Sequence, residues 1–141
     1  MLQDLLSNRT LIAPLVAWLI AQAIKTLAML IRGRRLNLHL LVSSGGMPSA
    51  HSAVVTALAT SVGLRQGVHS PAFAIAVLFA SIVMYDAAGV RRAVGAQASI
   101  INRMITDHNF DEKRLAELIG HTPIQVIAGA ALGIACGLAW G

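Results

Sequence analysis

Two histidines lie where the sequence predicts the start of a helix. His51 follows two glycines, Pro48 and a serine, and His121 precedes Thr122 and Pro123. Proline suits the first helical position because its missing N–H has no partner there, and Thr122 is a suitable N-cap. Free backbone N–H groups and the positive end of the helix dipole make such a start an anion site, most often for phosphate. The pattern therefore predicts two histidines beside a bound phosphate.

Cations that could neutralise a phosphate are placed near these histidines. Lys25 and Arg32 are seven residues apart, which puts them on one face of a helix. Arg91 and Arg92 follow Asp86 closely, and arginine forks match phosphate oxygens. A neutral imidazole at a helix start suits a nucleophile, and a protonated second one suits a general acid. This chemistry requires no metal or other cofactor.

The composition indicates an integral membrane protein. Charged residues make up 12% of the 141 residues and hydrophobic residues 56%, against roughly 25% charged residues in soluble domains. In a membrane protein, a net charge of +5 indicates basic loops on the cytoplasmic side. Aromatic residues that could stack on bases are scarce, which argues against nucleic acid as a partner. We expect one membrane-embedded domain over residues 1–141.

Apolar runs predict an all-α bundle of about four transmembrane helices with an added amphipathic segment. The predicted spans are 11–31, 48–64, 71–90 and 122–140, with the amphipathic segment over 94–105. This segment continues the third helix or lies at the surface. A short helix is predicted after Asp111. Residues 36–42 either lie in the interface or re-enter the membrane.

Small residues recur at every fourth position in each predicted span, which favours close helix packing. The rows are Ala13-Ala17-Ala21, continued by Lys25; Ser49-Ala53-Ala57-Ser61; Ala72-Ala76-Ala80; and Gly129-Gly133-Gly137. Because Lys25 continues the first row, we expect it to face the bundle. The rows leave two oligomeric states open: a four-helix monomer, or a homodimer joined by these faces.

Basic residues predict the orientation in the membrane. Four spans put the two long loops on one side and both termini on the other. The loop side holds Arg32, Arg34, Arg35, Arg91, Arg92, Arg103, Lys113 and Arg114, whereas the termini side holds Arg9 and Arg65. This bias places the long loops, and with them the histidines, on the cytoplasmic face of the inner (plasma) membrane.

The motifs resemble those of the type 2 phosphatidic acid phosphatase and vanadium haloperoxidase superfamily, in particular its small divergent bacterial and plastid branch. Lys25 and Arg32 match the spacing of the first motif, although Gly33 replaces its proline. The second motif, Pro-Ser-Gly-His, is Pro48-Ser49-Ala50-His51 here. The runs 85–92 and 120–123 resemble the divergent branch closely.

The resemblance implies roles for these residues. His121 would be the nucleophile and His51 the general acid. Lys25, Arg32, Ser49 and one or both of Arg91 and Arg92 would bind the phosphate. Gln125 stands where the superfamily has an acid. Asp86 either replaces that acid or pairs with the neighbouring arginines.

Two functions follow from this pattern. The first is a phosphatase acting on a phosphorylated membrane lipid or polyprenol, as a phosphomonoester or pyrophosphate, by a metal-independent histidine mechanism. The second is a non-catalytic membrane protein that keeps the anion pocket to bind phosphate headgroups. The two histidines favour the first function, and Gln125 favours the second. A small channel or half of a transporter is a more distant alternative.

Overall fold

The computed structural model describes residues 7–31, 46–108, 115 and 121–141. These residues form five helices: α1 (Arg9–Ile31), α2 (Ala50–Gln66), α3 (Pro71–Ala88), α4 (Val90–Asp107) and α5 (Pro123–Trp140). The predicted all-α helical bundle is confirmed. Arg32, the segment 36–42 and the helix predicted after Asp111 lie outside the described residues, as do the side chains of Arg91 and Arg92.

Helix α2 is the centre of the bundle, because α1, α3 and α5 all pack against it. Its start differs from the prediction by two residues. Ser49 is the N-cap, with extended backbone and a hydroxyl that accepts a hydrogen bond from the Ser52 N–H. The helix therefore begins at Ala50, and Pro48 lies before the cap.

The glycine row of α5 lies directly on the backbone of α2. A Cβ atom placed on Gly129, Gly133 or Gly137 would overlap α2 at Ser49, Ala53 or Thr60, respectively. The contacted positions of α2 increase in the same order as the glycine positions of α5. The two helices therefore run parallel and begin at the same end of the bundle. The Thr56 hydroxyl adds a hydrogen bond of 3.1 Å to the Ala130 carbonyl across this contact.

The remaining small-residue rows also face the interior, as predicted. Ala13, Ala17 and Ala21 of α1 are fully buried, and Lys25 continues their row at 8% exposure. On α3, Ala76 and Ala80 are buried. The buried alanines of α1 pack with those of α2 and with Cys136 of α5. These rows let four helices approach closely with few large side chains in the core.

Three stretches of the described chain are long and apolar enough to cross a membrane: α1, the run through α3 and α4, and α5. Helix α2, predicted as a fourth span, has 17 residues, or about 25 Å at 1.5 Å per residue. It also carries buried hydroxyl residues, Ser52, Thr56 and Ser61. Three neighbouring helices surround α2, so less of its surface faces lipid and it can be less apolar.

Helix α4 continues directly from α3 after Gly89, which resolves one of the alternatives left by the sequence. Among its described side chains, Gly95, Ala98 and Asn102 are buried. The Asn102 side chain makes two hydrogen bonds to the backbone of Leu115. Its Nδ2 donates to the Leu115 carbonyl, and its Oδ1 accepts from the Leu115 N–H, both at 2.8 Å. This amide therefore fixes the chain six residues before His121.

The close contact between α2 and α5 predicts a strong effect of added bulk. We expect Gly133→Leu to destabilise the protein by about 1–3 kcal/mol, because the new side chain must displace the backbone of Ala53. Ala131→Leu is the matched control, since Ala131 is an exposed position on the same helix. Thermal unfolding in detergent should show a lower midpoint for the first variant only; equal midpoints would contradict the packing described here.

Candidate active site at the end of the bundle

The parallel arrangement of α2 and α5 brings His51 and His121 together. Their ring centroids are 6.1 Å apart with an interplanar angle of 59°. His51 is the second residue of α2 and is partly buried, whereas His121 lies two residues before α5 and is 1% exposed. Two imidazoles at this distance can contact a single small ligand between or beside them.

Backbone hydrogen bonds hold the two helix starts in place. The Ser49 N–H donates to the Gln125 carbonyl at 3.0 Å, which joins the start of α2 to the first turn of α5. The His121 N–H donates to the Ala87 carbonyl at 3.0 Å, which joins the start of α5 to the end of α3. Asp86, next to Ala87, is therefore at the same end of the bundle, and its side chain is partly buried.

The Gln125 side chain determines which nitrogen of His121 carries the proton. Its Oε1 atom accepts from the Thr122 N–H at 3.1 Å in a capping box, and also lies 3.2 Å from His121 Nδ1. A backbone N–H can only donate, so the shared side-chain atom must be an acceptor. The imidazole must then donate from Nδ1. In the neutral ring this leaves the lone pair on the buried Nε2 atom.

Lys25 supplies positive charge at this end of the bundle. Its side chain packs on the turn that leads into α2: a Cβ placed on Gly46 would lie 3.7 Å from Lys25 Cγ and Cδ. Gly46 has φ +89°, a conformation that favours glycine. Within the described parts of the chain, no hydrogen bond or ion pair to the Lys25 ammonium is found. A cation with so little exposure is costly in an apolar bundle unless an anion joins it.

Ser49, predicted to bind phosphate, caps helix α2 in the structure. Ser49 is fully buried, and its hydroxyl accepts from both the Ser52 N–H and the Ser52 hydroxyl. This geometry gives Ser49 a capping role, and its contact with phosphate stays a prediction. The described residues contain no group of three or more histidine, cysteine or acidic side chains placed to hold a metal ion.

Two positioning features were missed by the sequence reasoning. One is the capping box formed by Thr122 and Gln125, which the Thr-x-x-Gln spacing could have revealed. The other is the Asn102 amide, whose partner is a backbone thirteen residues away. Its only signal in the sequence is that Asn102 continues the row of the small residues Gly95 and Ala98 on one side of α4.

A helical membrane protein with a histidine pair at one end of its bundle is the class that this fold and site define. Residues 6–136 match the Divergent PAP2 family, and the chain belongs to that family. The resemblance inferred from the motifs is thereby confirmed. The chain is also 43% identical over 146 residues to "Uncharacterized membrane protein YuiD" of Bacillus subtilis (strain 168), a match that covers 93% of this chain and 92% of that protein. No solved structure gives a significant match.

The capping box predicts the tautomer of His121. We expect ¹⁵N NMR of histidine-labelled protein to show a protonated Nδ1 and an unprotonated Nε2 for His121 in its neutral form, because Gln125 Oε1 accepts only from Nδ1. Gln125→Leu should remove this constraint and change the pattern. His69, exposed in the turn between α2 and α3, is the internal control. An Nε2-protonated ring in the unmodified protein would contradict the assignment.

Proposed function

We propose that this PAP2-related membrane protein is a lipid phosphatase that hydrolyses a phosphomonoester of a membrane lipid or polyprenol. The observation that carries the proposal is the histidine pair itself: His121 has its Nε2 lone pair set by Gln125, and the second imidazole lies 6.1 Å away. The Lys25 side chain, which is 8% exposed and packs on the turn before α2, supports it, because a phosphate is the kind of anion that would neutralise its charge.

The proposed reaction has two steps. In the first, His121 Nε2 attacks phosphorus, the ester P–O bond breaks, and His51 gives its proton to the departing alkoxide. In the second, a water molecule attacks the phosphohistidine, with His51 as the base, and inorganic phosphate leaves. Lys25 neutralises charge on the non-bridging oxygens throughout, and we expect Arg32 and Arg91 or Arg92 to contribute. Every step uses groups of the protein and water alone.

Gln125 limits the rate that this scheme can reach. A carboxylate at the same place would stabilise the imidazolium that forms on His121, whereas a neutral amide orients the ring without adding charge. In serine proteases the loss of the equivalent carboxylate costs about 10⁴ in turnover. Unless Asp86 supplies the missing charge, we expect slow hydrolysis.

The amide at position 125 is also the observation that favours the second candidate function. A membrane protein that binds phosphate headgroups without hydrolysing them would need Lys25 and the two helix starts, but no acid behind His121. The two candidates differ in a single result, since both predict binding of a lipid phosphate that depends on Lys25 and only the phosphatase releases phosphate.

The orientation of the site belongs to the same proposal. Helix α1 ends, and α2 and α5 begin, at the end of the bundle where the long basic loops attach. The excess of basic residues in those loops supports an inner-membrane location with the histidines on the cytoplasmic face.

Phosphate release from purified protein tests the proposal directly. Across a panel containing phosphatidic acid and polyprenyl phosphates, we expect slow release that survives chelators and is blocked by vanadate. His121→Gln should abolish it, and His51→Gln should lower the rate by about 10²–10⁴-fold because the leaving oxygen loses its acid. Lys25→Met should mainly raise KM.

His69→Gln is the matched control, since His69 lies in the turn at the opposite end of the bundle and should have no effect. Release that continues unchanged in His121→Gln would refute the nucleophile assignment. Lys25-dependent lipid binding with no release from any lipid of the panel would favour the second candidate.

A further inference from the structure

Helix α4 packs against one other helix of the described bundle. That helix is α3, which α4 continues after Gly89. The buried residues among those described in α4 are Gly95, Ala98 and Asn102, and the Asn102 amide holds Leu115 on this side. The other described side chains of α4 are exposed or partly exposed. Most of the α4 surface therefore faces the surroundings of the bundle.

The exposed surface of α4 divides into two strips of different chemistry. The first is polar and carries Arg103, Thr106 and Asp107, each of them exposed. The second, which we call the outer apolar strip, consists of the large hydrophobic residues that are 43% to 64% exposed: Val94, Ile100, Ile101 and Met104. Spacings of three, four and seven residues place them on one side of the helix. An apolar strip beside a polar one is typical of a helix that lies in a membrane surface.

The length of the helical run places α4 beyond the hydrocarbon core. Helices α3 and α4 form one run of 37 residues, Pro71–Asp107, which is about 55 Å long at 1.5 Å per residue. The 18 residues of α3 already span about 27 Å, close to the hydrocarbon thickness of about 30 Å. If α4 continued straight into water, the outer apolar strip would be hydrated, which is unfavourable. A helix lying in the interface buries the same strip.

The outer apolar strip continues the lipid-facing surface of α3. Ile82 is 67% exposed on α3, which belongs to a candidate membrane span. Ile100 follows it by about five turns of 3.6 residues, and Gly89 between them has right-handed helical backbone angles. The two side chains therefore lie on the same side of the run. This continuity favours lipid as the neighbour of the strip.

The charges of α4 also favour a lipid surface over a second copy of this chain. The charged residues of the helix are three arginines and one aspartate: Arg91, Arg92, Arg103 and Asp107. An excess of positive charge attracts anionic headgroups. Two copies packed through α4 would instead bring arginines of like charge together, which is unfavourable.

We propose that α4 lies in the membrane–water interface, with the outer apolar strip among the acyl chains and Arg103 against the headgroups. The partner is the lipid surface at the end of the bundle that carries the histidine pair. The interaction does not depend on turnover at that pair. Because another side of α4 holds Leu115, the lipid surface would also fix the chain six residues before His121.

Spin-label accessibility in nanodiscs of phosphatidylcholine and phosphatidylglycerol tests this inference. Single cysteines are introduced into a Cys136→Ala background, because Cys136 is a free cysteine. The test positions are Ile101→Cys and Met104→Cys. Thr106→Cys is the matched control, since it lies on the polar strip and leaves every arginine in place, and Ile82→Cys is the reference for hydrocarbon.

We expect the two strip labels to collide with oxygen rather than with a water-soluble nickel reagent. Their ratio of oxygen to nickel collisions should be severalfold higher than at Thr106→Cys and lower than at Ile82→Cys, as the interface requires. Ile100→Cys gives a third position on the strip should a label at 101 or 104 prevent folding.

Equal nickel accessibility on both strips would place α4 in water and overturn the inference. Strip labels that neither reagent reaches would also overturn it, because they would show that protein covers the strip; spin–spin broadening would then identify a second copy. Phosphate release is not measured in this experiment. A failure of the interfacial helix and a failure of the proposed phosphatase are therefore separate results.

Discussion

The close parallel contact between α2 and α5 is the constraint on which the rest of the structure depends. Glycines at 129, 133 and 137 add no side chain of α5 to this contact, so α5 lies against the backbone and the small hydroxyl side chains of α2. Because the contact is parallel, both helix starts lie at one end of the bundle. A bulkier row would separate the helices and, with them, His51 from His121. The packing of small residues thus sets the distance between the two imidazoles, on which the proposed chemistry depends.

The same contact concentrates polar groups at one end of an otherwise apolar bundle. Lys25 continues the alanine row of α1 and is buried beside the turn at Gly46. The backbone N–H groups of Ser49 and His121 are used to join helices to one another. Within the described residues no contact neutralises the charge of Lys25, and the proposed phosphate would do so.

The buried helix faces could be predicted from the sequence, because small residues at every fourth position of a membrane helix favour close packing against another helix. The rows in α1, α2 and α5 identified the buried faces, and Thr122 and Pro123 identified the start of α5. The hydrogen bonds at the helix starts were harder to predict. Both Pro48 and Ser49 suit a helix start, and only the extended backbone of Ser49 shows which residue is the cap.

Other parts of the site depend on contacts that the spacing of residues in the sequence does not indicate. The sequence placed Gln125 only where the superfamily has an acid. The proton position on the His121 ring follows from the structure, because the Gln125 oxygen near His121 Nδ1 also accepts from the Thr122 N–H. Likewise, Asn102 holds Leu115 through a backbone pairing that needs the fold.

The central claim is that His121 Nε2 and Lys25 face one phosphate. An experimental structure of the protein with bound vanadate, which resembles a phosphate in transfer, tests it most directly. The account predicts vanadium bonded to His121 Nε2, with Nδ1 still donating to Gln125 and the Lys25 ammonium against the vanadate oxygens. Vanadate bound away from both histidines, or bonded through Nδ1 with Gln125 turned aside, would contradict the account.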